Sequence, residues 1–209
     1  MTATLTRILQ QAATLALGCV ISVGTLADAS AQDWQLEEQD GDISAYTREM
    51  SNSPFLQIKA TAIIDASASR VSALLGDGNG CAGWRAMCKS SKVLETVSEQ
   101  ERYVYMVLDL PWPLSDRDMV MHTLTRVDPQ SRTATVDLQT DSERHPPKDY
   151  VRAESSGQFI IRMLSETQTE FTYIMHTDLG GDLPAGTVNG RLAESAVADL
   201  ERLKKLAES

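Results

Sequence analysis

The chain of 209 residues carries 29 acidic and 19 basic side chains, and its formal net charge at pH 7 is −10. This excess of acidic groups excludes a general nucleic-acid-binding role, because contacts to phosphates require a basic surface. It also disfavours stable adsorption to an anionic membrane, so only transient membrane contact is expected.

Residues 1–31 have the features of a secretory signal peptide. Arg7 supplies a positive charge, and residues 8–23 form an apolar run that is too short for a secure membrane span. An A-x-A cleavage sequence ends at Ala31, which predicts a mature chain that begins at Gln32. The sequence therefore predicts export, to a bacterial periplasm.

Two alternatives concern the same segment. A lipoprotein would be modified at Cys19, but Ala16 stands where lipoprotein signals usually carry leucine. The other alternative is an uncleaved membrane anchor.

After cleavage, residues 32–209 suit one domain with a full core, and a monomer is the default expectation.

Alternating apolar and polar residues predict nine strands with one buried face each. The strands lie at residues 34–38, 43–49, 55–64, 92–97, 102–110, 118–127, 133–140, 157–165 and 169–178. After the third strand, Asp65 or Ser67 caps a helix that ends near Leu75, and a short helical segment carries Trp84. Residues 141–155 are polar and are predicted to form a long loop.

A long amphipathic helix is predicted at residues 185–206, because Val188, Leu192, Leu200 and other apolar residues recur there at helical spacing. The order of elements indicates an α+β fold in which a curved antiparallel sheet is wrapped around this C-terminal helix. Periodicity leaves open whether the space between sheet and helix is a filled core or a ligand cavity.

Cys81 and Cys88 are the two cysteines of the expected mature chain. A pair at short spacing in an oxidising compartment favours a disulfide, worth about 2–3 kcal/mol. The alternative is two buried free thiols. No CxxC sequence is present, and the three histidines are far apart in the sequence, so no metal site and no cofactor are predicted.

Residues 103–120, YVYMVLDLPWPLSDRDMV, combine a strand, a rigid Pro-Trp-Pro corner and an Asp-Arg-Asp sequence that leads into the next strand. Trp112 is expected to anchor this corner as a large apolar side chain. The segment resembles the middle of START lipid-transfer domains. Three further segments resemble the same family in the same order along the chain: Cys81-x-x-Trp84, Pro147-x-x-Tyr150-Val151-Arg152, and Asp178 to Pro184 followed by Val188-Asn189.

This resemblance implies a helix-grip fold that holds one hydrophobic molecule in a tunnel, gated by the C-terminal helix and a loop at residues 128–132. It also implies that Arg117 and Asp118 are structural. Sterol-carrying members place an acid and an arginine in the tunnel, at positions that correspond to Val104 and Thr123. Neither charge is present here, so the sterol-binding mode is not expected to be copied.

The predicted function is non-catalytic binding, and possible transfer between membranes, of a lipid or other hydrophobic ligand, driven by burial of apolar surface. For any single wall residue, ordinary core packing is the competing interpretation, and a register error of one residue would turn the opposite strand faces inward. The candidate ligand-binding residues are Leu56, Ile58, Met106, Leu108, Met119, Met121, Phe159, Ile161, Met163, Phe171, Tyr173, Met175, Val188 and Leu192.

Two other functions are alternatives. A helix-grip enzyme of the cyclase or hydrolase type would need converging polar groups in the pocket, whereas the strand register places His122 and His176 on the outward face, and no nucleophile motif is present. A periplasmic adaptor without ligand would instead have a filled core and an exposed apolar patch.

Overall fold

The computed structural model describes residues 33–145 and 150–209. The predicted signal peptide, its cleavage after Ala31 and the Cys19 alternative lie outside the described residues, as does Pro147 of the family resemblance. Among the helices that are described, none combines the length and the apolar character that a membrane crossing requires.

The described residues form ten strands and four helices. In chain order these are β1 Gln35–Asp40, β2 Ile43–Met50, β3 Ser53–Ile64, α1 Ala68–Gly76, α2 Cys81–Trp84, β4 Cys88–Thr96, β5 Glu101–Leu108, β6 Arg117–Asp128, β7 Thr133–Thr140, β8 Val151–Arg152, β9 Glu154–Met163, β10 Thr169–Asp178, α3 Ala185–Asn189 and α4 Leu192–Ala207. All nine predicted strands are present, with shifted ends in several cases.

One sheet has the strand order β1-β2-β3-β10-β9-β7-β6-β5-β4, and neighbouring strands along this path are antiparallel. Helix α4 packs against β1, β2 and β3, and α2 contacts both α4 and β4. Because β1 and β4 are the two ends of the strand order, the sheet curves around the helices. The predicted helix-grip architecture is confirmed.

The predicted C-terminal helix is confirmed over α4, but the prediction of one continuous helix at residues 185–206 was wrong. It is divided into α3 and α4 at Gly190, a residue of low helix propensity. The side chain of Asn189 bonds to the edge of β3: Leu56 N donates to its Oδ1 at 3.0 Å, and its Nδ2 donates to Pro54 O at 3.0 Å. This polar attachment fixes the end of α3.

The predicted loop at residues 141–155 was also wrong in its second half. Strand β8 pairs in parallel with the start of β6, and β9 begins at Glu154. The pairing depends on a contact between residues distant in sequence: Arg152 Nε donates to Asp118 Oδ1 at 2.8 Å. No local pattern in a polar segment reveals such a partner.

Trp112 does not anchor the Pro-Trp-Pro corner, because 93% of its surface is exposed. The prediction failed since the two flanking prolines fix a turn that points the indole outward. Leu110, which is buried, and Leu114, which is half-buried, pack against the core instead. The corner is therefore attached through its leucines.

Arg117 and Asp118 are both buried in a network that joins β6 to two other segments. Arg117 Nε donates to Leu179 O at 2.6 Å, which attaches the loop after β10. The Tyr105 hydroxyl donates to Asp118 Oδ2 at 3.0 Å, beside the Arg152 contact. Neither Arg117 nor Asp118 lines the cavity described below, in agreement with a structural role.

Gly180 is required in that loop for two reasons. Its φ of +67° lies in the left-handed region, and an added Cβ would be 2.6 Å from Arg152 O. The glycine therefore allows the loop after β10 to approach β8 closely.

Candidate functional site

An internal cavity of about 270 Å³ lies between the inner sheet face and the α1–α2 segment. Its volume is close to the lower end of the range of small-molecule sites, roughly 300–1,000 Å³. The strands supply Ser91, Arg102, Val104, Met106, Met121, Thr123, Thr125, Ala134, Val136, Leu138, Phe159, Ile161 and Met175 to its wall. The α1–α2 segment and the β4–β5 turn supply Ser72, Leu75, Gly76, Asp77, Gly78, Cys81, Trp84, Arg85 and Glu99.

One end of the cavity, which we call the floor, is apolar and buried. The floor is formed by Trp84, Met106, Met121, Phe159 and Met175, each at most 9% exposed. The rings of Trp84 and Phe159 meet edge to face with centroids 5.9 Å apart. Aromatic pairs in this arrangement are rigid, whereas the methionine side chains are adaptable, so the floor can adjust to the shape of an apolar group.

The other end, which we call the rim, is polar. The rim consists of Asp77, Glu99, Arg102, Thr123 and Thr125. Asp77 and Glu99 are exposed, whereas the other three are half-buried on the inward faces of β5 and β6. The cavity therefore changes from a dry apolar floor to a wetter rim, as expected of a site for an amphiphilic ligand.

Arg102 extends from β5 to the end of α1, where its Nη1 donates to Gly76 O. On the neighbouring strand, Thr123 is its register partner, and Thr123 Oγ1 donates to Arg102 O at 3.4 Å. The arginine thereby links the sheet to the helical cover.

A buried acid attaches the cover to α4. Asp199 of α4 accepts a hydrogen bond from Ala86 N at 2.7 Å, and its Oδ2 lies 3.8 Å from Arg85 Nε. Burial raises the pKa of the Asp199 carboxyl, and nearby Arg85 opposes this shift. Because Arg85 also lines the cavity, the acid connects α4 to the cavity wall indirectly.

Cys81 and Cys88 form a disulfide with a Cα–Cα distance of 5.9 Å, as predicted. The bond joins the start of α2 to the start of β4, and Cys81 lines the cavity. It therefore restrains the part of the cover that carries Trp84.

Five of the fourteen predicted ligand-binding residues line the cavity: Met106, Met121, Phe159, Ile161 and Met175. The other nine, Leu56, Ile58, Leu108, Met119, Met163, Phe171, Tyr173, Val188 and Leu192, are outside its lining. For Leu56 and Ile58 the reason is that α3 and α4 pack directly against β3, the strand that carries them. The ligand-binding role of all fourteen stays a prediction.

None of the lining residues belongs to α3, to α4 or to the loop at residues 128–132. The contribution of α1 and α2 to the wall was not predicted, because the sequence has no clear signal for it. Arg102 was also missed, although it shares the alternation of Met106 on β5 and could have been found by extending that pattern. Val104 and Thr123, which were named only as tunnel positions of sterol-carrying members, do line the cavity.

His122 and His176 are not among the lining residues. His122 Nε2 lies 2.8 Å from Glu101 Oε1, and its ring stacks on Tyr103. His176 is on β10, opposite Gln57 of β3. Within residues 33–145 and 150–209, no cluster of three or more His, Cys, Asp or Glu side chains has the geometry of a metal site.

Comparison with known proteins identifies the class of protein to which this fold and cavity belong. The START domain family matches residues 19–208. The chain therefore belongs to the START domain family. An uncharacterized protein of Pseudomonas aeruginosa is 26% identical over 187 residues, which are 88% of this chain and 92% of that protein.

Solved structures agree with this assignment. The crystal structure of a STAR-related lipid transfer protein from Xanthomonas axonopodis has a TM-score of 0.77 and 25% identity, and covers 84% of this chain and 99% of that one. Human StAR-related lipid transfer protein 5 has a TM-score of 0.77 at 18% identity, and the match covers 86% of this chain and 88% of that one. An aromatase/cyclase from Streptomyces has a TM-score of 0.50 at 20% identity, and the match covers 73% of this chain and 93% of that one. The last two likenesses concern the fold.

Proposed function

We propose that the protein binds one hydrophobic small molecule in the cavity and carries it without chemical change. The observation that carries this proposal is the buried apolar floor, which is formed by Trp84, Phe159 and three methionines. Burial of an apolar ligand there would contribute roughly 25 cal/mol for each Å² removed from water. Similarity to a protein named as a lipid transfer protein supports a lipid as the ligand.

An enzymatic role is the second candidate, because an aromatase/cyclase shares the fold. General acid–base catalysis would require a titratable side chain beside the bound substrate. The acidic side chains of the lining, Asp77 and Glu99, are exposed at the rim, away from the floor. This placement favours the carrier over the enzyme.

Ligand entry is proposed to require movement of the α1–α2 segment. That segment, rather than α4, covers the cavity, so the C-terminal helix would gate it indirectly, through the contact of Asp199 with Ala86. Export to the periplasm and transient delivery of the ligand to a membrane complete the proposal. The acidic net charge of −10 supports brief rather than stable membrane contact.

The first test is native mass spectrometry of residues 32–209 purified from the envelope of the host, followed by organic extraction and lipid analysis. We expect a stoichiometric hydrophobic adduct. A mass without adduct, together with no uptake of any fluorescent lipid, would contradict the proposal.

A cavity-filling variant makes the test specific to the site. Ala134 lines the cavity from β7, and the next residue, Thr135, lies on the opposite face of that strand. We expect Ala134→Trp to reduce uptake of a fluorescent lipid at least tenfold, because the indole occupies the ligand volume. Thr135→Trp, the matched control, should retain uptake. Equal uptake by both variants would place the ligand elsewhere.

A further inference from the structure

The chemical class of the ligand can be inferred from an arginine that faces the cavity. On β5 the inward positions are Arg102, Val104, Met106 and Leu108, and the last three are buried apolar residues. A guanidinium at the head of such a row loses part of its hydration, which is unfavourable unless an acceptor or an anion compensates. Its position therefore needs an explanation.

The guanidinium of Arg102 has donors to spare. One of its five N–H groups bonds to a neutral acceptor, Gly76 O. Within residues 33–145 and 150–209, no carboxylate oxygen lies within 4.0 Å of it. Arg85 and Arg152, which are also half-buried, are each paired with a buried aspartate. The cavity arginine thus differs from them in lacking a carboxylate partner.

Neutral hydrogen-bonding groups lie beside the arginine on the next strand. Thr123 and Thr125 face the cavity from β6, and Thr123 is directly opposite Arg102 in the sheet register. The Thr125 hydroxyl can donate to an oxygen atom of a bound group, and the Thr123 hydroxyl can do so by releasing its long bond of 3.4 Å to Arg102 O. A guanidinium flanked by two hydroxyls is suited to a carboxylate or a phosphate, which accepts bidentate hydrogen bonds from arginine.

The two acids of the rim do not cancel this cation. Asp77 is exposed, and its carboxylate points back at its own turn. Its Oδ1 accepts a hydrogen bond from Asn79 N at 3.0 Å, and its Oδ2 is close to Gly80, where an added Cβ would be 2.6 Å away. Glu99 is exposed in the turn between β4 and β5. Exposed charges are screened by water and salt, whereas a half-buried charge is screened less. The charge of the half-buried Arg102 is therefore screened less than the charges of the two exposed acids.

The volume of the cavity limits the apolar part of the ligand. A methylene group is similar in size to a water molecule, whose share of liquid volume is about 30 Å³. A cavity of about 270 Å³ therefore holds on the order of ten such groups. One medium-length acyl chain fills a volume of this size, whereas two such chains would need about twice as much.

We propose that the ligand is a single-chain amphiphile with an anionic head group, a carboxylate or a phosphate. Arg102, Thr123 and Thr125 hold the head group at the rim, and the chain of about ten carbons lies on the floor. This inference rests on the proposed carrier function and specifies its ligand. Arg102 is then the residue that determines head-group specificity.

The test compares amphiphiles that differ only in head group and chain number. Decanoate, decyl phosphate, decanol and a phosphatidic acid with two decanoyl chains are titrated at pH 7.5, below their micelle concentrations, against a bound fluorescent probe. We expect decanoate or decyl phosphate to bind at least tenfold more tightly than decanol, and the two-chain lipid to bind more weakly than the better single-chain anion. Whichever of decanoate and decyl phosphate binds with the higher affinity identifies the head group as a carboxylate or a phosphate.

Variants assign the effect to the arginine. Arg102→Gln should weaken binding of the preferred anion at least tenfold and leave decanol unchanged, and Arg102→Lys should restore part of the affinity. The control is Arg126→Gln, on the exposed end of β6, which should change neither. Thermal unfolding verifies that each variant is folded.

Several results would overturn the inference. Equal affinity of the wild type for decanol and both anions would exclude an anionic subsite, and unchanged anion binding by Arg102→Gln would exclude this arginine. Tighter binding of the two-chain lipid would overturn the single-chain limit. If neither the probe nor any amphiphile binds the wild type, the carrier function itself fails, which is a distinguishable outcome.

Discussion

Asp118 illustrates how much of this fold depends on single buried polar residues. Its carboxylate is fully buried and accepts hydrogen bonds from Arg152 Nε at 2.8 Å and from the Tyr105 hydroxyl at 3.0 Å. Burial and this bond raise the pKa of Tyr105 to about 12. One side chain therefore joins β5, β6 and β8.

Removal of that carboxylate should be costly. Asp118→Ala leaves the guanidinium of Arg152 without its anion, and breaking a buried pair in this way typically costs about 3–5 kcal/mol. We expect a loss of this size in the free energy of unfolding measured by urea denaturation. Glu170→Ala, which removes the half-buried partner of the exposed Arg162, is the control and should change stability little. Equal losses in both variants would contradict the structural role of Asp118.

Between elements, the contact from α4 to the segment after α2 carries the proposed gate. Asp199→Ala removes the acceptor of Ala86 N and should loosen the cover of the cavity. We expect faster dissociation of a bound fluorescent lipid than in the wild type, whereas Asp199→Asn keeps an acceptor oxygen and should stay close to the wild-type rate. Glu201→Ala, on the exposed face of the same helix, is the control. Unchanged dissociation in Asp199→Ala would exclude this contact from gating.

Asp199 also makes the free energy of unfolding depend on pH, and the direction of this dependence follows from its raised pKa. Burial raises the pKa of Asp199 in the folded protein above its value in the unfolded chain, so the folded state binds this proton more tightly. The resulting stabilisation is complete below the unfolded pKa of about 4 and is lost as the pH rises through the folded pKa. We expect the unfolding free energy of Asp199→Asn to lack this decrease toward neutral pH. Parallel pH profiles of the variant and the wild type would refute the assignment.

For the whole molecule, the untested prediction is export. We propose that residues 1–31 are removed and that the domain acts in an oxidising compartment, consistent with its disulfide. In the native host, fractionation and N-terminal sequencing should find a periplasmic protein that begins at Gln32, with no free thiol in the denatured protein. A cytoplasmic protein that retains Met1 would contradict export.

The sequence predicted the fold far better than the site. Period-two alternation located nine of the ten described strands and is clearest where one face is buried, as in β2 and β10. The Pro-Trp-Pro segment led to the family. The break after Asn189 and the short β8 were missed, since both depend on polar contacts to distant strands, at Leu56 and at Asp118. Such contacts leave no periodic trace.

The wall of the cavity was predicted only in part, for a related reason. Alternation identifies which strand residues face inward, and Met106 and Phe159 were found in this way. It does not say which inward residues meet a helix, so Ile58 was included although α4 packs against β3. The contributions of α1 and α2 depend on how those helices fold back over the sheet, which short apolar segments do not encode.

Two tryptophans with opposite surroundings give the protein built-in optical reporters. Trp84 is 5% exposed on the floor of the cavity, whereas Trp112 is 93% exposed on its corner. Aqueous iodide therefore reaches the indole of Trp112 and not that of Trp84. In a Trp34→Phe variant, which lacks the half-buried third tryptophan, quenching separates the emission of these two residues. A ligand that enters the cavity changes the unquenched component, and adsorption of the corner to a surface changes the quenched one. Cavity filling and surface contact can thus be followed separately in the unlabelled protein.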